Sequence, residues 1–147
     1  FCLSKGLCAP VGSIVCGSHE FINKLRRNRK RIGGGMRQAG ILGAAGIIAL
    51  DIMTKRLKED HDNAKYLAER LNEIPCIEVE EKKVQINMVF FKINKPGFDS
   101  VLLQEEMLKK SIKINPADHG VMRFVTHHDI NRDDIDRTID LMKVYLK

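Results

Sequence analysis

Apolar and polar positions change their period near residue 75. Over residues 37–74 the spacing is helical: Leu57, Ala64, Leu67, Leu71 and Ile74 lie three, four or seven positions apart, as one covered helix face requires. Pro75 ends the stretch, because it has no N–H to donate and clashes with the preceding turn. A bend near residues 51–55 would make two helices of it, and the pattern leaves one or two open. Gly40, Gly43 and Gly46 recur every third position among Ile41, Leu42, Ala44, Ala45 and Ile47. Each glycine costs a helix roughly 1 kcal/mol against alanine, so close approach of another backbone is expected there. Upstream, residues 13–16 predict a short buried strand. Ser18 then suits the N-cap of a helix beginning at His19, with Phe21, Ile22 and Leu25 as its apolar stripe. Gly33-Gly34-Gly35 should end that helix.

Beyond Pro75 strand signals take over. Ile77-Glu78-Val79-Glu80 alternates as a half-buried strand does, and residues 88–93 read as a more buried one. Pro96-Gly97 is a turn, and Asp99 caps a helix to about Lys110. Residues 112–114 predict a short strand, Asn115-Pro116 and His119-Gly120 punctuate, and residues 121–126 predict another strand. Asn131 caps a last helix whose Asp133 and Asp134 suit its positive end, with Ile135, Ile139 and Met142 facing inward. Strand, strand, helix, strand, strand, helix makes a compact α/β unit. The expected division is residues 1–50 as the end of something larger, 51–75 as a connecting helix, and 76–147 as a small α/β domain.

Composition supports a globular chain: 44% of the 147 residues are hydrophobic and 30% charged, and tryptophan is absent. No segment has the apolar length of a membrane span or the layout of a signal peptide. The four cysteines, Cys2, Cys8, Cys16 and Cys76, form no Cys-x-x-Cys pair, which points to a reducing, cytoplasmic setting. Phe1 opens the chain inside an apolar segment, as a fragment would. The net charge of +6 is concentrated in Lys24, Arg26, Arg27, Arg29, Lys30 and Arg31. Such a run is a solvated helix face, an anion site, a nuclear-import signal or a nucleic-acid contact.

Four places could carry chemistry. Lys5, in Leu3-Ser4-Lys5-Gly6-Leu7, is a lysine in an apolar, glycine-flanked loop, where its amine could be made nucleophilic; an exposed loop lysine is the plain alternative. Arg123 shares a strand face with Val121 and Val125, so its charge must be met by an internal ion pair or by a ligand carboxylate. Gly33-Gly34-Gly35-Met36-Arg37-Gln38 leads glycines into a helix start with Arg37 at it, an arrangement that binds anions, although neither a Walker nor a Rossmann pattern is present; a helix-linking turn with a solvated arginine is the plain alternative. The histidines offer little: His127-His128 are adjacent, His61 sits one turn past Leu57, and no metal is expected.

In order along the chain these segments are more specific than any one of them. Cys2-Leu3-Ser4-Lys5-Gly6-Leu7 with Ala9-Pro10-Val11-Gly12-Ser13, then Arg29-Lys30 and Gly33-Gly34-Gly35-Met36-Arg37-Gln38-Ala39-Gly40, then Glu59-Asp60-His61, then Arg123 before Val125-Thr126-His127, resemble the low-specificity threonine aldolases of the β-eliminating-lyase group. The resemblance covers essentially the whole chain. It implies the aspartate-aminotransferase-like α/β fold (fold type I) of pyridoxal-phosphate (PLP) enzymes, here the last part of the large domain plus the small C-terminal domain.

By that resemblance Lys5 holds PLP covalently, Arg37 reaches the cofactor phosphate across a subunit interface, Lys30 stands at the same basic rim, and Arg123 binds the substrate carboxylate. The implied reaction cleaves threonine, allo-threonine and related β-hydroxy-α-amino acids to glycine and an aldehyde. It also implies a homodimer or homotetramer, with neither nucleic acid nor membrane as partner. The family's ring-stacking histidine, acidic partner of the pyridine nitrogen and phosphate-cupping loop are placed upstream of Phe1, so the chain alone is expected to be inactive. The alternatives are another PLP β-eliminating lyase of the same fold, a non-catalytic pseudoenzyme, or a basic binding module built on residues 24–31. The last lacks an aromatic stacking platform.

Overall fold

The computed structural model describes all 147 residues. In chain order it contains α1 (His19–Arg31), α2 (Gly40–Ile48), a π-helical turn (Ala49–Met53), α3 (Thr54–Asn72), β1 (Ile77–Val79), β2 (Met88–Ile93), α4 (Ser100–Lys109), β3 (Met122–Val125) and α5 (Arg132–Tyr145). The chain forms two compact units, Phe1–Leu57 and Lys58–Lys147, with the division inside α3.

In the first unit residues 1–14 make a closed loop. Leu3 N–H donates to Gly12 O (2.9 Å), Ala9 N–H to Leu3 O (3.0 Å) and Ile14 N–H to Phe1 O (2.8 Å). The strand expected over residues 13–16 is reduced to the single bridge between Cys2 and Ser13, because no second strand runs on beside it and Val15 is left exposed. Leu3, Leu7 and Ala9 bury against Ala49, with Ile14, Met53 and Leu57 packed around them. Ser18 caps α1 as expected, accepting from Phe21 N–H at 3.3 Å.

The end of α1 explains the glycines. Gly33 has φ +82°, and its N–H donates to Lys30 O while that of Gly34 donates to Arg29 O. These two bonds are the Schellman closure, which satisfies carbonyls that the helix leaves open. Helix α2 starts at Gly40, three residues later than the sequence suggested, because Gln38 is left-handed (φ +53°) and cannot join a helix. The π turn falls where a bend was expected, and Thr54 Oγ1 donates to Leu50 O there (2.6 Å). At Gly46 the close neighbour is the Leu3 side chain rather than another backbone, and Gly40 and Gly43 face open space.

In the second unit the three strands form an antiparallel sheet in the order β1-β2-β3. Ile77 pairs with Ile93, Val79 with Phe91, Phe91 with Met122 and Val89 with Phe124. The alternation sends Ile77, Val79, Val89, Phe91, Met122 and Phe124 into one core with Leu67 and Leu71 of α3, Leu103 and Met107 of α4, and Ile135, Ile139 and Met142 of α5. Phe91 and Phe124 meet edge to face with centroids 4.9 Å apart. The opposite sheet face, with Glu78, Phe90, Lys92, Arg123 and Val125, is exposed. Asp99 caps α4, and Asn131 with Asp134 makes a reciprocal capping box on α5. Residues 112–114, expected as a strand, are not one: Ile112 N–H turns back to Met107 O and Gln104 Nε2 holds Ile114 O (2.9 Å).

Candidate active site

Lys5 opens a tight turn. Cys8 N–H donates to Lys5 O at 2.8 Å, and Cys8 takes a left-handed φ of +57° to close it. Leu3, Leu7 and Ala9 are buried beneath the turn while Ser4 and Lys5 stand exposed. Burial of the flanking apolar residues therefore holds the backbone and leaves the lysine outside. The Lys5 amine makes no hydrogen bond or ion pair within the chain, so it is reachable by an external carbonyl. Its charge is felt by Cys2, whose thiol is held below the ordinary range, first by the hydrogen bond from Ser13 Oγ (3.6 Å) and then by Lys5.

Lys30 stands in the last turn of α1, and its side chain lies along the glycine segment. A Cβ placed on Gly35 would sit 2.9 Å from Lys30 Cδ and 3.3 Å from its Nζ, and one on Gly34 would sit 2.8 Å from Arg29 Cγ. At Gly34 a Cβ would also come within 3.1 Å of Arg29 O, so the backbone itself approaches closely there, whereas at Gly35 only the flexible Lys30 side chain would have to move. Arg37 follows two residues on, exposed and without an ion pair. Lys30 and Arg37 thus stand on either side of the glycine segment along the chain, neither in an ion pair, and such charge suits an anion such as a phosphate. The anion-binding helix start expected directly at Arg37 is displaced to Gly40.

Arg123 lies in β3 beside Val125, on the exposed sheet face, and pairs across the ladder with Phe90. The shared face with the valines was expected; its being the open face was not. No internal ion pair meets the guanidinium, so it keeps its five donors for a ligand. A cleft of about 320 Å³ opens beside it, lined also by Lys113, Asn115, Thr126, His127 and Asp134. His127 Nδ1 accepts from Asp129 N–H (3.3 Å), which leaves Nε2 as the donor of the neutral ring. This cleft was not foreseen in the sequence, where its only signals were the Asn115-Pro116 and His119-Gly120 breaks. Lys5, Lys30 and Arg37 belong to the first unit and Arg123 to the second.

This set of an unpaired amine, two unpaired cations at a glycine turn and a free guanidinium can be compared with known proteins. Residues 1–94 match the family model of the beta-eliminating lyases. The chain belongs to that family. Among beta-eliminating-lyase relatives, it is 41% identical over 143 residues to low-specificity L-threonine aldolase 1 of Arabidopsis thaliana, covering 94% of this chain and 39% of that protein. It is 42% identical over 134 residues to the low specificity L-threonine aldolase of Escherichia coli K12, covering 91% of this chain and 38% of that one. The chain therefore spans about two fifths of the length of these relatives.

Among solved structures, a serine palmitoyltransferase from Sphingomonas wittichii superposes with a TM-score of 0.75 at 15% identity over 97% of this chain and 38% of its own. A PLP-dependent aminotransferase from Streptococcus suis superposes with a TM-score of 0.66 at 12% identity over 89% of this chain and 36% of its own. The fold is the mixed α/β fold type I of PLP-dependent enzymes, as the sequence resemblance implied.

Proposed function

We propose that this chain is part of a PLP-dependent threonine aldolase, cleaving L-threonine, L-allo-threonine and related β-hydroxy-α-amino acids to glycine and an aldehyde. The observation that carries the reading is the exposed, unpaired Lys5 on its anchored turn, in a chain more than 40% identical to proteins named as low-specificity L-threonine aldolases. The donor set fits PLP: a primary amine for an aldehyde, paired cations for a phosphate, and a guanidinium for a substrate carboxylate. Lys5 would hold the cofactor, Arg37 would reach the phosphate of a neighbouring subunit's cofactor with Lys30 at the same basic rim, and Arg123 would bind the substrate carboxylate. When bound, PLP supplies the electron sink for the carbanion that Cα–Cβ cleavage leaves. Arg123 would hold the substrate by its carboxylate, and the basic glycine segment would offer charge to a phosphate.

In the same reading residues 1–50 complete a large cofactor-binding domain, 51–75 connect, and 76–147 are the small domain. Arg37 serves a neighbouring subunit of a homodimer or homotetramer in the cytoplasm. No helix is long and apolar enough to cross a membrane. Because the chain spans about two fifths of its relatives, it is expected to be a poor catalyst by itself.

The test has two parts. Borohydride reduction of the chain incubated with PLP, followed by peptide mapping, should place the label on Lys5, and the Lys5→Ala variant should lose it. Labelling spread evenly over the surface lysines would remove the basis of the assignment. Acetaldehyde release from threonine should be small for the 147-residue chain; turnover near that of an intact aldolase would contradict the expectation that it lacks part of its site.

A further inference from the structure

The hairpin that carries Arg123 is only begun. Asp118 and Val121 exchange both backbone hydrogen bonds at 2.9 Å, and between them His119 and Gly120 are both left-handed (φ +47° and +78°). That is a two-residue type I′ turn, whose twist matches that of paired strands. Pairing nevertheless stops after this one bridge. Thr126 N–H donates to Asn87 O, so alternation along the ladder turns the N–H and C=O of Arg123 and Val125 to the outer edge of β3. Those four groups have no partner, and the cleft lies between them and residues 112–115.

Two features of the strap explain the halt. Pro116 falls opposite Arg123 in the register set by the turn and has no N–H to give. The same register would pair Ile114 with Val125, on the exposed face, whereas Ile114 is buried in the core. A one-residue bulge at Asn115-Pro116 removes both conflicts. It pairs Lys113 with Val125 on the open face and returns Ile112 and Ile114 to the buried face beside Thr126 and Phe124. Their burial in the chain already follows that alternation: Ile112 half-buried, Lys113 exposed, Ile114 buried. In that register Ile114 O points away from β3, where Gln104 Nε2 already holds it, so this bond steadies the strap for pairing rather than opposing it.

We propose that residues 112–117 are a strap that zips onto the free edge of β3, with a bulge opposite Arg123, and so closes the cleft behind the guanidinium. Closure makes Lys113–Val125 a hydrogen-bonded pair and fixes the backbone from which Arg123 projects. A carboxylate on Arg123 favours the closed arrangement, and this trigger alone rests on the substrate role proposed for that residue.

Amide hydrogen exchange of the 147-residue chain, read by NMR, tests it. Sodium acetate as the carboxylate probe should slow exchange of the Val125 amide roughly tenfold or more, and Gln104→Ala, which frees Ile114 O, should weaken that protection. The inward-bonded Phe124 and Thr126 amides report that the sheet is intact. Val125 protection that is present without acetate and weakened by Gln104→Ala keeps the strap and discards the carboxylate trigger. If the Val125 amide exchanges at the unprotected rate with and without acetate while Phe124 and Thr126 stay protected, the strap does not exist.

Discussion

Lys5 shows how a residue's chemistry depends on what surrounds it. Its amine is exposed, yet its backbone is held by buried neighbours on both sides, Leu3 and Leu7. The sequence made the residue type and the flanking glycine legible; the turn that Cys8 closes in a left-handed conformation was not, since cysteine carries no preference for it. The Lys5 charge extends to Cys2. Because the Ser13 hydrogen bond and then Lys5 hold this thiol below the ordinary range, its thiolate appears at lower pH than that of an isolated cysteine. Alkylation rates followed against pH should therefore show Cys2 reacting at a lower pH than the cysteine of a short unstructured peptide. Ser13→Ala should move the Cys2 profile upward; an unchanged profile would mean the hydrogen bond is not what lowers it. Arg123 was legible as a charge that needs an anion, but its exposure was not, because the valines beside it suggested a covered face.

At the scale of elements, capping residues were the most legible signals: Ser18, Asp99 and Asn131 each begin the helix expected of them. Their side chains act within three residues, so no distant contact can overrule them. Strands were less legible. Residues 13–16 have a strand-like pattern but keep only the short pairing with Phe1 and Cys2, residues 112–114 have no paired strand, and a strand exists only in its pairing. The α3–α5 contact is also non-local. Tyr66 Oη donates to Asp136 Oδ1 (2.7 Å), Arg70 Nε donates to the same oxygen (3.0 Å), and Glu73 accepts from Arg70 and from Lys143. Lys143 and then Arg70 hold the Glu73 carboxyl below the usual glutamate range. A depressed carboxyl pKa contributes stability above its unfolded-state value and loses it as pH falls through the folded-state one. The urea midpoint of Glu73→Gln should thus lie below that of the parent at neutral pH, and the gap should shrink as pH drops below about 4.3. A gap that is constant from pH 7 to 3 would locate the effect elsewhere. Glu73 is partly solvated, so the effect should be modest.

Across the whole molecule the hydrophobic burial is uneven. The second unit holds one continuous core running from Ala64 to Leu146, whereas the buried cluster of the first unit is limited to Leu3, Leu7, Ala9 and Ala49. Residues 58–147 expressed alone should therefore unfold cooperatively in urea, with protected amides in β2 and β3, and residues 1–57 alone should not. A non-cooperative 58–147 segment would show that its core needs the first unit. Helix α2 leaves Ile41, Ile47 and Ile48 exposed, which its sequence, apolar on every side, did not foretell. The sequence by itself determined the helix caps, the change of period after Pro75, the glycine stop of α1 and the family resemblance, all of which depend on residue types at short fixed spacings. Tertiary structure alone decided which patterned segments found partners, which face of β3 was open, and that the Lys30 side chain lies against Gly35. Those outcomes depend on contacts between positions brought together only when the chain folds, and local spacing carries no record of them.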